Sequence, residues 1–284
     1  MQPRNKNDNI LYAKAGDLCS SAMKREYDFT YSRFLTPAEQ IIYYTAIREE
    51  FPHLLSRCFF YGGALQADRR VCVIVPSYVD SVGISSPAEL FSEEREMQFC
   101  DIVSTYAADE SFGIAPLSIT GSGFAEFSHR HYMGSILNLG IEREVLGDIA
   151  VVGKCSAVVF VTDTITSFIS ESLTKIGRDS VKVVPFNTPD GFKVPHEFKE
   201  MTLVAASDRV DSVVASITNL SRGDAKEYCL TGLVEINYVT VTEADERLSP
   251  GDKISVRGHG KYIIDAFTGE TRSGRARISV RKYI

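Results

Sequence analysis

Basic side chains are concentrated near the C-terminal end of this chain, at a density that suits the binding of a polyanion. Residues 253–284 hold eight lysines and arginines against two carboxylates, a local charge of +6, whereas the whole chain carries −6. Each Lys or Arg that contacts a phosphate releases condensed counterions, so such a cluster binds nucleic-acid backbones. A solvated basic tail has the same composition, and charge alone leaves both interpretations open.

The spacing of these residues predicts which of them share a surface. Ser221 is predicted to cap a helix, at whose N-terminus free backbone N–H groups attract phosphate oxygens. Arg222 and Lys226 are four residues apart and therefore lie on one face of that helix. Alternation with a period of two places further basic residues on one side of two later strands. These residues are Arg257, His259 and Lys261 on the first strand, and Arg275 and Arg277 on the second.

Four further candidates have structural alternatives that the sequence leaves open. Arg209, on the preceding helix, could join the basic surface or form an ion pair with Asp211. Asn237 could contact RNA or hold the turn that follows a strand. Arg130 and Arg143 could reach RNA from a helix start and a loop, or could brace that loop.

These candidates require a C-terminal unit of two helices and a set of hairpins. Apolar residues at helical spacing over 210–217 predict the first helix. Ser221 with Asp224, three residues on, predicts a capping box for the second helix. The predicted strands are 233–236, 239–241, a single strand over 253–264 with a kink at 258–260, and a last hairpin that turns at 268–269 and ends near residue 281.

The middle of the chain predicts a regular alternation of strands and helices. Strand, helix, strand, strand, helix, strand is the ferredoxin-like order, and also that of the RNA recognition motif. The aromatic residues with which that motif stacks bases are missing, because the third strand offers only Phe160. The predicted elements are a strand at 114–120, a helix at 128–139, strands at 148–152 and 157–161, a helix from 163 to 177, and a strand at 181–185.

The first part of the chain gives weaker signals. Thr36, with Glu39 three residues later, predicts a capped helix that ends near residue 50. Residues 71–76 are apolar and β-branched and predict a buried strand. A further helix is predicted to begin at Ser86 and to end near Met97.

The predicted fold class is therefore α+β, in three parts. Residues 1–110 are expected to form an N-terminal α/β unit, 111–188 the ferredoxin-like middle domain, and 200–284 the C-terminal domain. Two prolines and a glycine between periodic segments predict a linker at 187–199.

Several functional classes are disfavoured by what the sequence lacks. Its six cysteines include no Cys-x-x-Cys pair, its polar start has no apolar signal segment, and no apolar run reaches the ~18 residues that a membrane-spanning helix needs. Phosphate-loop and nucleophile-elbow motifs are missing. His129 and His131 have no convincing partner for a metal ion. We therefore expect a cytoplasmic protein with reduced thiols, without catalysis, cofactor or metal.

Longer segments carry a family resemblance. The C-terminal segments DRVDSVVA (208–215), LSRGDAKEYCLTGLVEIN (220–237) and PGDKISVRGHGK (250–261) resemble the S4 RNA-binding domain. The upstream segments FLTPAEQ (34–40), YGGALQADRR (61–70) and SHRHYMGSILNLGIEREVLGDI (128–149) resemble the YlmH-like proteins of bacteria. Within SHRHYMG, that family usually has Asp where His131 stands.

The resemblance implies an N-terminal unit, an RRM-like middle unit and a C-terminal S4 domain, in a ribosome-associated RNA-binding factor. Family members are linked to quality control on large ribosomal subunits that carry obstructed peptidyl-tRNA, and to cell-division gene neighbourhoods. We expect a monomer whose partners are rRNA, peptidyl-tRNA and the large subunit, with no DNA and no membrane. Two alternatives stay open: an rRNA-modifying enzyme of the pseudouridine-synthase type, and a protein-binding scaffold linked to cell division.

Overall fold

Two compact units make up the chain in the computed structural model. They are Met1–Pro195 and His196–Ile284, and the division between them falls within the predicted linker. The structure describes residues 6–81, 83, 84, 87–107 and 112–284, so Ser86, the predicted start of a helix, lies outside the described residues. Within the described part of the chain, no helix is long and apolar enough to cross a lipid bilayer.

The first part of the N-terminal unit packs three helices around a small antiparallel sheet. Its elements are α1 (Lys6–Lys24), β1 (Thr30–Tyr31), α2 (Pro37–Glu50), β2 (Cys58–Tyr61), β3 (Val71–Ile74) and α3 (Glu93–Tyr106), with 3-10 helices at Pro52–Arg57 and Pro87–Phe91. The predicted capping box at the start of α2 is confirmed. The Thr36 hydroxyl accepts the Glu39 N–H at 3.3 Å, and the Glu39 carboxylate accepts the Thr36 N–H at 2.7 Å. The predicted strand β3 is the central strand of its sheet and is buried throughout.

The second part of this unit is built on a five-stranded antiparallel sheet. Its elements are β4 (Ile114–Gly121), α4 (His129–Leu137), β5 (Leu146–Gly153), β6 (Ser156–Thr162), α5 (Thr166–Ser172), β7 (Lys175–Ile176) and β8 (Asp179–Pro185), with 3-10 helices at Arg143–Val145 and Asp163–Ile165. We call this the middle sheet; its strand order is β5-β6-β4-β8-β7. Helices α4 and α5 pack on one face through Tyr132, Ile136 and Ile169. Apart from the short β7, strands and helices follow one another in the predicted order.

The opposite face of the middle sheet is closed by the first part of the unit. Val158 and Phe160 of β6 lie in one apolar core with Phe59 of β2 and Phe99 of α3. The approach is close at Gly63, where an added Cβ would lie 2.6 Å from the Phe160 ring. The segments on either side of the predicted boundary at residue 110 therefore share a core.

The C-terminal unit has a six-stranded antiparallel sheet with two helices on one face. Its elements are β9 (Phe198–Ala205), α6 (Val210–Thr218), α7 (Arg222–Leu230), β10 (Val234–Ile236), β11 (Val239–Thr240), β12 (Lys253–Val256), β13 (Gly260–Glu270) and β14 (Ala276–Tyr283). The strand order is β11-β10-β12-β13-β14-β9. Val213 of α6 and Cys229 of α7 pack against Ile254 and Ile278 in its core. We call the sheet face that points away from α6 and α7 the far face.

Two predictions for the C-terminal hairpins are wrong. The predicted single strand over 253–264 is two antiparallel strands, β12 and β13, in which Val256 lies opposite Gly260. Gly258 and Gly260 have φ values of +82° and +106°, so the pair that suggests a kink instead reverses the chain. The last turn lies at residues 271–275, and Gly269 is inside β13 beside a bulge rather than at the turn.

Two predictions for helix ends are also wrong. The helix predicted to end near Met97 is a short 3-10 helix followed by α3, which continues to Tyr106. The helix predicted from 163 to 177 begins as a 3-10 helix and ends at Ser172, because the short strand β7 intervenes. Gly177, with φ of +61°, makes the turn between β7 and β8 instead of ending a helix.

The predicted linker over 187–199 is more ordered than its proline and glycine content suggests. Phe192 and Val194 pack against the core of the N-terminal unit. Phe198 begins β9, which pairs along its whole length with β14. Strand β9 is not among the predicted elements, although apolar Met201, Leu203 and Ala205 alternate with exposed residues in the pattern typical of a strand.

Candidate nucleic-acid interface

Two arginines meet at one buried carboxylate where α6 and α7 begin. The Asp211 side chain is 3% exposed. Arg209 donates two hydrogen bonds to it, from Nε to Oδ1 at 3.2 Å and from Nη2 to Oδ2 at 3.0 Å. Arg222 donates from Nε to the same Oδ2 at 3.4 Å. The ion pair that the sequence left open for Arg209 is therefore present, and it also includes Arg222.

The charge state of this group follows from two opposing effects. Burial favours the neutral form of Asp211, but the hydrogen bonds from Arg209 and the positive charge of Arg222 outweigh it and hold the pKa of Asp211 below its ordinary value. The carboxyl is ionised at neutral pH, so the three side chains together carry one positive charge. The Arg209 and Arg222 side chains stay 34% and 55% exposed and can still meet a ligand from solution.

The start of α7 carries two further predicted contacts. Ser221 caps the helix, since its hydroxyl oxygen accepts the Asp224 N–H at 3.2 Å. The predicted capping box takes a different form, because the Asp224 carboxylate accepts the Ser221 hydroxyl at 2.8 Å. Lys226 is exposed one helical turn after Arg222, and no side-chain partner for it is found among the described residues.

Arg257 and His259 lie in the turn between β12 and β13, not on a strand beside Lys261 as predicted. This turn packs against α7. The Tyr228 hydroxyl donates to the Arg257 carbonyl at 3.3 Å, and the Tyr228 and His259 rings are 6.2 Å apart. Nothing in the sequence pattern singles out Tyr228 for this role. We call Arg209, Arg222, Lys226, Arg257 and His259 the α7 surface.

Asn237 is held by the turn in which it lies. Its Nδ2 donates to the Asp252 carboxylate at 2.8 Å, and its Oδ1 accepts the Lys253 N–H at 2.9 Å. Asn237 and Tyr238 have φ values of +49° and +66°, as a two-residue hairpin turn requires. These bonds account for Asn237 structurally, and a contact with RNA stays a prediction.

The remaining C-terminal candidates lie away from the α7 surface. Lys261 is on the far face, with its ammonium group 5.1 Å from the centroid of the Tyr238 ring. Arg277 is also on the far face, because its neighbours along β14 point into the core. Arg275 is in the last turn, at the opposite end of β13 from Arg257. β13 has 11 residues, so these two turns are roughly 30 Å apart. The single groove predicted from the sequence is therefore not formed.

Arg130 and Arg143 have different surroundings in the N-terminal unit. Arg130 is exposed on the first turn of α4. The Arg143 guanidinium contacts the thioether of Met133, and its carbonyl accepts a hydrogen bond from Arg69 Nη2 at 2.8 Å. Arg69 also donates to the Leu146 carbonyl at 2.6 Å. The loop is thus braced by buried Arg69, which the sequence pattern does not indicate.

His131 completes the start of α4. Its Nδ1 accepts the Ser128 backbone N–H at 3.0 Å, which is the role that a capping-box carboxylate fills. This accounts for His131 without a metal ion. Among the residues that the structure describes, no group of three His, Cys, Asp or Glu side chains is placed to hold one.

The fold and the first comparison together define the class of the molecule. Residues 108–190 match a family model described as "Putative RNA-binding domain in YlmH". This range contains the middle sheet with α4 and α5. The chain is thus an α+β protein with several antiparallel sheets and a middle segment that matches an RNA-binding domain.

Two further proteins resemble this chain over most of its length. The chain is 24% identical to "Ribosome-associated protein quality control protein P2" of Bacillus subtilis (strain 168) over 263 residues, 92% of this chain and 90% of that protein. A solved structure titled "Cell division protein ylmH from Streptococcus pneumoniae" matches with a TM-score of 0.44 at 17% identity, over 66% of this chain and 95% of that one. The chain is therefore similar to the YlmH-like proteins, and the resemblance predicted from the sequence is confirmed.

Proposed function

We propose that this protein is a non-catalytic RNA-binding factor that associates with the large ribosomal subunit and acts there in quality control. The α7 surface carries the proposal. Arg209 and Arg222 are fixed at Asp211, Lys226 is exposed on α7, and exposed Arg257 lies in the turn that packs against α7. Guanidinium groups that are already held in place, with exposed cations nearby, are well suited to binding a phosphate backbone, because little side-chain freedom is lost on binding. The relative named for ribosome-associated quality control supports the ribosome, and therefore the cytoplasm, as the place of action.

The domain assignments belong to the same proposal. The C-terminal unit is an S4 domain, and its motif segments fall on α6, α7 and the turn between β12 and β13. The middle sheet with α4 and α5 is an RRM-like domain, which the order of its elements supports. We propose rRNA and peptidyl-tRNA as the RNA partners of a monomer, with Ser221, Asn237, Lys261, Arg275, Arg277, Arg130 and Arg143 as further contacts.

The test removes Lys226 and Arg257, two cations of the α7 surface for which the described residues provide no side-chain partner. In the double variant Lys226→Glu/Arg257→Glu, the Asp211 cluster stays intact, so folding is preserved. We expect binding to purified large ribosomal subunits to weaken at least about tenfold in co-sedimentation. The dependence of log K on log salt should become shallower by about two, one for each lost phosphate contact.

A matched control separates a local effect from a change in net charge. Lys6→Glu/Lys24→Glu makes the same charge change on exposed positions of α1. We expect this control to bind large subunits much more tightly than the α7-surface variant. A Lys226→Glu/Arg257→Glu protein that sediments with subunits like the native protein would remove the α7 surface from the function.

The absence of catalysis is tested separately. We expect rRNA from cells with and without the protein to contain the same modified nucleosides, as measured by mass spectrometry of digested rRNA. A modification that disappears with the protein would show an rRNA-modifying enzyme instead.

A further inference from the structure

The loop between β4 and α4 presents an aromatic ring to solvent. Phe124 is 93% exposed, although Phe127, three residues later, is buried beneath α4. The loop is anchored on both sides of Phe124. The Ser122 hydroxyl donates to the Asp179 carboxylate, and the Phe127 N–H donates to the Lys154 carbonyl at 2.8 Å. The exposed ring is therefore held on a fixed loop and takes no part in the core.

Cations gather at the same end of the middle sheet. Because neighbouring strands are antiparallel, β4 and β5 finish where β6 and β8 begin. Arg130 lies on the first turn of α4, Lys154 in the turn between β5 and β6, and Arg178 in the turn between β7 and β8. Lys182 lies opposite Thr120 near the end of β4. All four cations are exposed, and no side-chain partner is found for them within the described ranges.

We call this group, with Phe124, the sheet end. The carboxylates beside it are those of Glu126, in the loop, and Asp179, which Ser122 engages. Four cations against two carboxylates leave a local charge of +2, although the chain as a whole carries −6. A polyanion is the ligand that this charge favours.

The usual RNA platform of an RRM-like sheet is closed in this chain. That platform is the sheet face without helices, where aromatic side chains stack bases. Here Val158 and Phe160 on that face are buried in the core shared with the first part of the unit. RNA at the middle sheet therefore has to be bound at an edge or an end of the sheet. Phe124 gives the sheet end the exposed ring that stacking requires.

We propose that the sheet end binds an unpaired nucleotide of RNA, whose base stacks on Phe124 while Arg130 and Lys154 meet the neighbouring phosphates. This inference rests on the proposed RNA-binding function and adds to it a second site and the kind of RNA bound. Paired bases inside a duplex have no free face for the ring, so the site selects loops, bulges or single strands.

The test uses the full-length protein and a stem-loop RNA with a fluorescent adenine analogue in its unpaired loop. Binding of the native protein and of Phe124→Tyr changes the fluorescence of the analogue, since its base stacks on the ring. Phe124→Ala abolishes that change and weakens binding roughly tenfold, the loss of one stacked base. Its salt dependence stays as in the native protein, because no charge is removed. Arg130→Gln and Lys154→Gln instead reduce the salt slope by about 0.7 each.

Tyr27→Ala is the matched control, because Tyr27 is 72% exposed in the same unit but outside the sheet end. It is expected to behave like the native protein. If Phe124→Ala binds the RNA with native affinity and still changes the fluorescence, the inference is overturned. If that variant in addition associates more weakly with ribosomes, the ring is assigned to a contact with protein. The proposed function then still stands if Lys226→Glu/Arg257→Glu lowers subunit binding. A native protein that binds neither this RNA nor ribosomal subunits overturns both.

Discussion

Asp211 connects two arginines that lie at the starts of different helices. A guanidinium has five N–H donors, of which Arg209 uses two and Arg222 uses one on this carboxylate. The remaining donors can bind a phosphate while the positions of both side chains are set by the protein. A buried carboxylate without such partners would be costly, since its charge has lost contact with water. The cluster therefore stabilises the starts of α6 and α7, and the single carboxylate of Asp211 orients both guanidinium groups.

The first prediction is made for Asp211→Asn, which keeps the shape of the side chain and removes its charge. We expect the free energy of unfolding of the C-terminal unit to fall by about 1–3 kcal/mol at pH 7, below the cost of breaking a fully buried pair because both guanidinium groups reach solvent. Urea unfolding of the native and variant proteins measures this difference.

The pH dependence of that difference has a definite sign. The folded pKa of Asp211 lies below its ordinary value, so its stabilising contribution is fully present above the unfolded pKa of about 3.9. The contribution is lost as pH falls through the lower, folded pKa. Native and variant stabilities should therefore differ by a constant amount from pH 7 down to about pH 5 and converge in stronger acid. A difference that grows on acidification would contradict this assignment.

At the scale of elements, helix starts illustrate how local signals act. His131 occupies the position where a capping box has an acid, and only the unprotonated Nδ1 can accept the Ser128 N–H. A glutamate at this position accepts the same hydrogen bond and adds a negative charge at the positive end of α4.

The second prediction is that His131→Glu raises the stability of the N-terminal unit by about 0.5–1 kcal/mol. His131→Ala, which removes the acceptor, should lower it by about 1 kcal/mol. Thermal unfolding at neutral pH compares the three proteins. Equal midpoints for the glutamate and alanine variants would show that the side chain at this position does not cap α4.

The elements that the sequence predicts correctly are those with local signals. Thr36 and Ser221 cap their helices through bonds to residues three positions on, so short-range spacing suffices. Strand pairing is not local. The Gly258–Gly260 segment is compatible with a kink or a reversal, and only the partner strand decides which. The position of strand β9 is set by its pairing with β14, which lies about 80 residues away in the chain.

The candidate site was predictable to a similar extent. Arg222 and Lys226 share a helix, and helical spacing alone places them on one side. Arg257 and Arg275 were expected in one groove, but β13 separates them because its length and the position of the last turn depend on pairing. Phe124 carries no periodic signal, since its exposure results from the loop path between β4 and α4.

For the whole molecule, net charge is a poor guide to the proposed RNA-binding surface. The chain has 31 basic and 37 acidic residues. By count along the sequence, residues 196–284 hold 13 of each, so the acidic surplus lies in residues 1–195. The C-terminal unit is neutral overall, so its proposed binding surface depends on which carboxylates are already engaged by partners within the fold. Asp211, Asp252 and Asp265 are engaged within the fold, whereas Lys226 and Arg257 are exposed.

The shared core predicts how the chain unfolds. Phe59 and Phe99 from the first part pack with Val158 and Phe160 of the middle sheet, so neither part can lose its packing alone. The C-terminal unit has a core of its own. We therefore expect residues 1–195 to unfold as one cooperative unit, distinct from residues 196–284.

The third prediction tests that core at Gly63, which has φ of +87° and would place a Cβ 2.6 Å from the Phe160 ring. We expect Gly63→Ala to lower the free energy of unfolding by about 2–4 kcal/mol, the sum of the strain of a left-handed backbone and of an overpacked contact. Gly140→Ala is the matched control, because Gly140 has φ of +80° but nothing within 4 Å. We expect Gly140→Ala to lower the free energy of unfolding by only about 1–2 kcal/mol, the strain of the left-handed backbone alone. Hydrogen exchange should show amides of both β3 and β6 losing protection in Gly63→Ala while those of β14 are unchanged. Equal losses of stability for the two variants would mean that the contact at Phe160 is not tight, and loss of protection confined to β3 would mean that the two parts fold separately.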